Sequence, residues 1–240
     1  MAPSSLTSVR VVLRAKQSAF PALQDVAARL DTFLDHSVHW CVLLAVQEDL
    51  PHLLRRLGAR GADISAEKLG VAMQCAVKRG DLATLRWLHA YRPSVHVPSA
   101  VMGKAAEKGH VTIAQWLHES VTVVAGCSER AMESAAANGH LEMVQWLHAH
   151  YEETSRRASR NAMQLAARGG HVPVLRFLDA SYPSEGCSHT TAMRAAEFGR
   201  VSVLQYMQHM HPDEFHRNEL VAIARRCKKL DVAAWLSASS

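Results

Sequence analysis

Nearly the same ten residues occur three times in this chain, as "GHVTIAQWLH" at 109–118, "GHLEMVQWLH" at 139–148 and "GHVPVLRFLD" at 170–179. The aromatic residue of this stretch recurs at intervals of 29, 30, 31, 29 and 29 residues, at Trp87, Trp116, Trp146, Phe177, Tyr206 and Trp235. A fixed period of this length is typical of a repeat array, because one small unit cannot bury its apolar face alone. The period therefore predicts copies of one unit stacked side by side, with the aromatic residue in their shared core.

A second repeated block precedes each copy, for example "AMESAAANG" at 131–139 and "AMQLAARGG" at 162–170. The two blocks together define about seven units of 29–32 residues, which fill residues 40–240. The seventh unit has Lys228 and Lys229 in place of Gly-His. The units begin near residues 40, 72, 101, 131, 162, 191 and 220.

The pattern within each unit predicts two short helices joined by a tight turn. One face of the first helix carries three repeated positions. They are Ala at the fifth position, a small residue at the sixth and a preceding Met. Small side chains on that face permit close helix packing. Gly then ends the helix, because it readily adopts the left-handed conformation of helix C-termini. The second helix is amphipathic, with Leu141, Val144 and Leu147 on the apolar face of the copy at 139–148.

Serine residues precede the first helices and are predicted to be N-caps, because a serine hydroxyl accepts a hydrogen bond from the first helical turn. They are Ser99, Ser128, Ser159 and Ser188. The stretches between units, such as 89–99 and 179–190, are rich in Pro, Ser and Gly and are predicted to be surface loops.

A helix, a Gly-His turn, a second helix and a loop together resemble an ankyrin repeat. The stretch "DLPHLLRRLGARGAD" at 49–63 is similar to the second helix and Gly-Ala-Asp finger of ordinary ankyrin units. The "AMxxAAxxGHLxxVQWLH" pattern resembles the divergent ankyrin-like repeats that are abundant in oomycete proteins. Over residues 40–240 the resemblance implies an all-α, ankyrin-like solenoid of helix-turn-helix repeats. It also implies a non-enzymatic scaffold that binds another protein on its concave helix face and loop tips.

The units depart from the ankyrin pattern in two ways. The Thr-Pro-Leu-His opening is missing, and the units are shorter than the usual ~33 residues. We therefore expect loops in place of the β-hairpin fingers.

Residues 1–39 lie outside the repeats and are predicted to be an N-terminal helical cap, which repeat arrays need at their open ends. The stretch 20–35 has Pro21 at a helix start and apolar residues on one face. It is also similar to the first helix of an F-box, which leaves a ubiquitin-ligase substrate adaptor as an alternative function. The first 24 residues contain no acid, and this composition also fits a mitochondrial transit peptide.

Charge and cysteine usage limit the classes of function and location. The net charge is +5 and the pI is about 9.1, which leaves a basic nucleic-acid-binding module as a second alternative. The basic residues are scattered, however, so nucleic acid is disfavoured as the partner. Five Cys without a C-x-x-C motif argue against a disulfide framework, and no apolar run approaches the ~20 residues that span a bilayer. We therefore expect a monomer in the cytoplasm or nucleus, with mitochondrial targeting as the alternative.

Fifteen His residues raise the question of a metal site. Equivalent residues of stacked helices lie about 8–10 Å apart, so a ladder of repeat positions cannot chelate one ion. The closest local group, His209, His211 and His216, is interpreted as a surface loop, with an adventitious zinc site as the alternative. No hydrolase, phosphate-binding or zinc-protease motif is present. We therefore expect no enzymatic activity, cofactor or metal.

Binding specificity should depend on positions that differ between units, because core positions repeat with the packing. On the first helices these are the third, fourth and seventh positions, whose charges alternate along the array. The candidate partner-binding residues there are Gln74, Cys75, Lys78, Gly103, Lys104, Glu107, Glu133, Ser134, Gln164, Leu165, Arg168, Arg194 and Glu197. Tyr and Arg in the loops are types enriched at interface hot spots. The candidate loop residues are Tyr91, Arg92, Tyr151, Arg156, Arg157 and Tyr182.

Overall fold

The computed structural model describes residues 42–49, 54, 55, 57, 64–93, 97–120, 127–185 and 187–238. Thirteen α-helices and one short 3-10 helix have both ends within these residues, and no strand occurs among them. The α-helices are α1 (Val42–Gln47), α2 (Ala66–Arg79), α3 (Leu82–Tyr91), α4 (Ser99–Lys108), α5 (Val111–Ser120), α6 (Cys127–Ala137), α7 (Leu141–His150), α8 (Glu152–Gly169), α9 (Val172–Ser181), α10 (His189–Phe198), α11 (Val201–Met210), α12 (Arg217–Arg226) and α13 (Leu230–Ala238). The 3-10 helix is Pro212–Glu214.

The chain divides into two compact units, residues 1–75 and 76–240. Within the first, α1 buries Val42, Ala45 and Val46. The predicted cap at 1–39, which includes the F-box-like stretch 20–35, lies outside the described residues. Its two interpretations therefore stay predictions.

Helix pairs stack in two layers in the second compact unit. The first helices of successive repeats form one layer, with α4 packed on α6, α6 on α8, α8 on α10 and α10 on α12. The second helices form the other layer, where α5 contacts α7, α7 contacts α9 and α9 contacts α11. Each first helix also contacts the second helix of its own repeat. This arrangement confirms the predicted all-α solenoid of two-helix repeats.

Alanine pairs lie where the first helices pack together. All of them are 0% exposed: Ala105, Ala106, Ala135, Ala136, Ala166, Ala167, Ala195 and Ala196. Methyl side chains let neighbouring helix backbones approach closely. The predicted small-residue face is therefore the packing face of the first helices.

The repeated aromatic residues lie at the edge of the core rather than at its centre. Trp146 and Tyr206 are buried, whereas Trp87, Trp116, Phe177 and Trp235 are half-buried. The leucine after each of the first four rings is at most 1% exposed: Leu88, Leu117, Leu147 and Leu178. The prediction that the rings form the shared core was therefore only partly right, because the leucines fill its centre and the longer rings extend to its edge.

The turn between the two helices depends on a left-handed residue. Gly139 has φ +77°, and a Cβ built on it would lie 2.5 Å from Nδ1 of His171 in the next repeat. A side chain at this position would therefore meet both backbone strain and a clash. The seventh repeat keeps the same turn without glycine, because Lys228 adopts φ +58°.

The predicted serine caps are mostly wrong. Pro98 occupies the N-cap of α4, so Ser99 is the first helical residue, and Ser128 lies inside α6. Ser159 lies in the middle of α8, where its buried hydroxyl donates to the carbonyl of Arg156 at 2.7 Å. Only Ser188 occupies an N-cap, and its hydroxyl pairs with that of Thr190 at 2.6 Å rather than with the backbone.

Helix α8 explains the error at Ser159. The helix begins directly after Tyr151 and runs for 18 residues, through the segment expected to be a loop. This segment contains no Pro or Gly before Gly169, and Glu152 pairs with Arg156 one turn later at 3.3 Å. Such a sequence favours helix, so Arg156 and Arg157 are helical residues and not loop residues.

Candidate interaction groove

A groove crosses the first helices of three successive repeats, and we call it the first-helix groove. It encloses about 350 Å³ and is formed by α6, α8 and α10. Its lining residues are Glu133, Asn161, Gln164, Leu165, Arg168, Arg194 and Phe198. The repeat stacking thus brings five sequence-predicted candidates together: Glu133, Gln164, Leu165, Arg168 and Arg194.

Two lining residues, Asn161 and Phe198, were missed by the sequence analysis. Asn161 donates from Nδ2 to Oε1 of Glu133 at 2.9 Å and joins α8 to α6. Phe198 is 37% exposed, although it is a large apolar residue. It precedes the turn glycine, where earlier repeats have Lys108 and Asn138. A large apolar residue at a position that the earlier repeats fill with polar residues or Gly169 was the available signal.

Arg168 is an exposed cation of the groove. Its guanidinium carbon lies 4.6 Å from the ring centroid of Phe198, which is a cation–π contact between α8 and α10. Within the described part of the chain, no carboxylate lies within 4.0 Å of Arg168. Its charge is therefore available to an acid of a partner.

The other charges near the groove are partly paired along their own helices. Arg194 Nη1 lies 2.9 Å from Oε2 of Glu197, one turn along α10. On α4, Lys104 Nζ lies 2.5 Å from Glu107 Oε2, and Lys108 approaches the same carboxylate at 3.3 Å. The Lys104 hydrogen bond is the main reason that the pKa of Glu107 is lowered. The first-helix face therefore has both signs of charge, as predicted.

A family described as "Ankyrin repeats (many copies)" matches residues 104–148 and 132–178. Residues 104–178 are therefore similar to ankyrin repeats, in agreement with the ankyrin-like stacking of the helix pairs. The matched residues include Glu133, Gln164 and Arg168 of the first-helix groove, whereas Arg194 and Phe198 belong to the ankyrin-like repeat that follows. No curated protein matches the chain. Among the described helices, none has the length and hydropathy needed to cross a membrane.

The remaining first-helix candidates lie outside the lining of the groove. Glu107, Ser134 and Glu197 are half-buried on α4, α6 and α10, as are Lys104 and Gly103 on α4. In α2, Gln74 and Cys75 are half-buried residues of the first compact unit. Lys78 is an exposed residue of the second.

The tyrosine candidates contact other residues within the array. Tyr91 stacks on Trp87 with ring centroids 4.9 Å apart, and Arg92 is the C-cap of α3. The Tyr151 hydroxyl lies 2.7 Å from Nδ1 of His118 in the preceding ankyrin repeat. Tyr182 is only 3% exposed. The expectation of an accessible loop side chain is therefore wrong for Tyr182, because the loop folds back against the array.

Histidines of the second helices also join neighbouring repeats. His89, His118 and His148 each point an edge at the aromatic ring of the next repeat, with centroids 5.5–5.8 Å apart. His118 and His148 also hydrogen-bond to Tyr151 and Tyr182 of that repeat. These repeated histidines therefore have a packing role between units.

Side chains at the turns join neighbouring repeats by hydrogen bonds to the backbone. His140 Nε2 donates to the carbonyl of Glu107 at 2.9 Å, and His171 Nε2 donates to that of Ala137 at 3.1 Å. Arg200 replaces this histidine in the next repeat, and its Nε donates to the carbonyl of Arg168 at 2.9 Å. These bonds satisfy helix-end carbonyls that would otherwise lack a partner.

Proposed function

We propose that the first-helix groove binds an extended segment of a protein partner, in which an acidic side chain stands beside an apolar one. The observation that carries this proposal is the pair of Arg168 and Phe198, a cation without a described carboxylate partner against an exposed ring. An acid of the partner would pair with the Arg168 guanidinium, and an apolar side chain would pack on Phe198 and Leu165. Arginine and aromatic residues dominate binding energy at many interfaces.

The acids near the groove favour a polypeptide over a nucleic acid. Glu133 lines the groove, and Glu107 and Glu197 lie on the neighbouring helices. A phosphate backbone is attracted by continuous basic surface, and carboxylates at this spacing would repel it. The alternative of a ubiquitin-ligase adaptor depends on residues 20–35, which lie outside the described residues.

A displayed library of random peptides, selected on the intact chain, tests the proposal. We expect enriched peptides to share an acidic residue near an apolar one. The affinity of these peptides should fall about tenfold or more for Arg168→Glu, because the acidic residue of the peptide would then face a carboxylate instead of a guanidinium group. Phe198→Ala should weaken the same peptides.

Arg86→Glu is the matched control, because Arg86 is an exposed arginine on the second helix α3 and undergoes the same charge change. Peptides that bind all three variants equally would place binding elsewhere and contradict the groove. Binding of a labelled DNA or RNA duplex to the intact chain should be measured in parallel by titration. Tight binding that falls steeply with salt would favour the nucleic-acid alternative.

A further inference from the structure

One repeat interface departs from the pattern of the others. Asp179 stands where earlier repeats have His118 and His148, and His211 stands where earlier repeats have Tyr151 and Tyr182. The His–Tyr hydrogen bond of the earlier interfaces is thereby replaced by an Asp–His pair. His211 Nε2 lies 2.6 Å from Oδ2 of Asp179.

Two more residues converge on the same carboxylate. Tyr206, which stands at the ring position of earlier Trp and Phe residues, donates its hydroxyl to Asp179 Oδ2 at 2.6 Å. The backbone N–H of Cys187 donates to Asp179 Oδ1 at 3.2 Å. Asp179 thus comes from α9, Cys187 from the loop before α10, and His211 from the end of α11.

The three side chains offer three kinds of metal ligand at one point. A carboxylate oxygen of Asp179, the thiol sulfur of Cys187 and an imidazole nitrogen of His211 all lie within 4.8 Å of one another. Zn²⁺ binds carboxylate oxygen at about 2.0–2.2 Å, histidine nitrogen at about 2.0–2.1 Å and cysteine sulfur at about 2.3 Å. Around one tetrahedral ion, such ligand atoms lie about 3.3–3.8 Å apart, which small side-chain movements within this cluster can reach.

We propose that Asp179, Cys187 and His211 bind one Zn²⁺ ion that links two neighbouring repeats. A water molecule completes the tetrahedral ligand set. The Cys187 thiol loses its proton to solvent as the thiolate–zinc bond forms, and His211 binds as neutral imidazole. The thiolate and the carboxylate then balance the charge of the ion.

The residues around the cluster favour a bound zinc ion, and two of the ligands can be reached from solvent. The Tyr206 hydroxyl and the Cys187 N–H hold the carboxylate in place, as hydrogen bonds to the ligands do at zinc sites. The side chain of His211 is 25% exposed and that of Asp179 is 11% exposed, so an ion can reach them from solvent. Cys187 is 3% exposed beneath them. A mixed sulfur, nitrogen and oxygen set favours zinc over Mg²⁺ or Ca²⁺, which prefer oxygen alone.

A second cluster nearby provides the competing explanation for any metal binding. A side-chain ligand atom from each of His189, His216 and Glu219 also lies within 4.8 Å of the others. His216 and Glu219 are exposed, and this cluster contains no sulfur. A thiolate signal therefore distinguishes the two sites.

Titration of the reduced full-length chain with Co²⁺ tests the proposal, because four-coordinate Co²⁺ reports its ligands in its absorption spectrum. We expect one equivalent to produce visible d–d bands and a near-ultraviolet thiolate-to-cobalt band, both removed by added Zn²⁺. Cys187→Ser should abolish the thiolate band. His211→Gln should weaken Co²⁺ binding about tenfold or more, and this partly exposed site should tolerate the change. Zn²⁺ should raise the Tm of the intact chain by several degrees.

Cys227→Ser is the matched control, because Cys227 is a half-buried free cysteine on another part of the surface. A thiolate band that survives Cys187→Ser, or is lost with Cys227→Ser, would overturn the proposal. Co²⁺ binding without a thiolate band, lost with His216→Gln, would assign the metal to the His189 cluster and also overturn it. If the intact chain and the well-folded His211→Gln variant bind Co²⁺ equally, the Asp179–His211 pair is only a hydrogen bond between repeats.

Discussion

The hydroxyl of the buried Tyr182 lies 2.6 Å from Nδ1 of His148, and this hydrogen bond joins two adjacent repeats. The same His148 ring meets Phe177 edge-on, with centroids 5.5 Å apart. Burial raises the pKa of Tyr182, so the hydroxyl remains a donor throughout the neutral range. One histidine thus makes a polar and an aromatic contact to the next repeat.

Tyr182→Phe should destabilise the array by about 1 kcal/mol, because a part-buried hydrogen bond is lost and His148 loses the hydroxyl as a partner. Tyr151→Phe removes the equivalent bond at an exposed position and should have a smaller effect, since water can replace the hydroxyl. Urea unfolding followed by circular dichroism measures both. Equal urea midpoints for the two variants would contradict the expectation that the less exposed Tyr182 hydrogen bond contributes more to stability than the Tyr151 bond.

Gly139→Ala should destabilise the chain by more than 1 kcal/mol, because alanine would be strained at φ +77° and its Cβ would clash with His171. Gly103→Ala provides the opposite case. Gly103 lies within α4, and a Cβ added there meets nothing within 4 Å. This substitution should stabilise the helix by about 0.5–1 kcal/mol. Thermal melts of the two variants should therefore shift in opposite directions.

Lys228→Gly should raise stability by about 1 kcal/mol. Lys228 holds the left-handed turn of the seventh repeat at φ +58°, a conformation that glycine adopts without strain. Lys229→Gly, one residue later, has no such strain to relieve and should not stabilise. A melting temperature for Lys228→Gly at or below that of the unmodified chain would show that the turn is not strained.

Glu107 should contribute a small pH-dependent part of stability. Its folded pKa is lowered below the ordinary value of 4.5, first by the Lys104 hydrogen bond. A lowered folded pKa means that the contribution is present above the unfolded pKa and is lost as pH falls through the folded pKa. Because the side chain is 35% exposed and screened by solvent, the effect at pH 7 should stay within about 0.5 kcal/mol.

Glu107→Gln should therefore be slightly less stable than the unmodified chain at pH 7, and this difference in stability should shrink at an acid pH where Glu107 becomes protonated. Chemical unfolding at both pH values makes the comparison. A stability difference that grows on acidification would mean that the pKa shift has the opposite sign.

Much of the fold could be predicted because it follows from local chemistry repeated at a fixed period. Ala135 and Ala136 indicated a close-packed helix face, and Gly139 indicated a left-handed turn, without reference to any other repeat. The variable positions on the first helices could also be identified, and Glu133, Gln164 and Arg168 do lie in one groove.

Other features depended on which side chains meet across repeats. The exposure of Phe198 beside Arg168 and the burial of Tyr182 did not follow from periodicity. Neither did the convergence of Asp179, Cys187 and His211. The sequence by itself determined the repeating unit and its two helices, because these depend on neighbours a few residues apart. Only the tertiary structure decided the groove and the contacts between repeats. Contacts such as His148–Tyr182 and Asp179–His211 join residues 34 and 32 positions apart in the chain, and their meeting depends on the register of the stack.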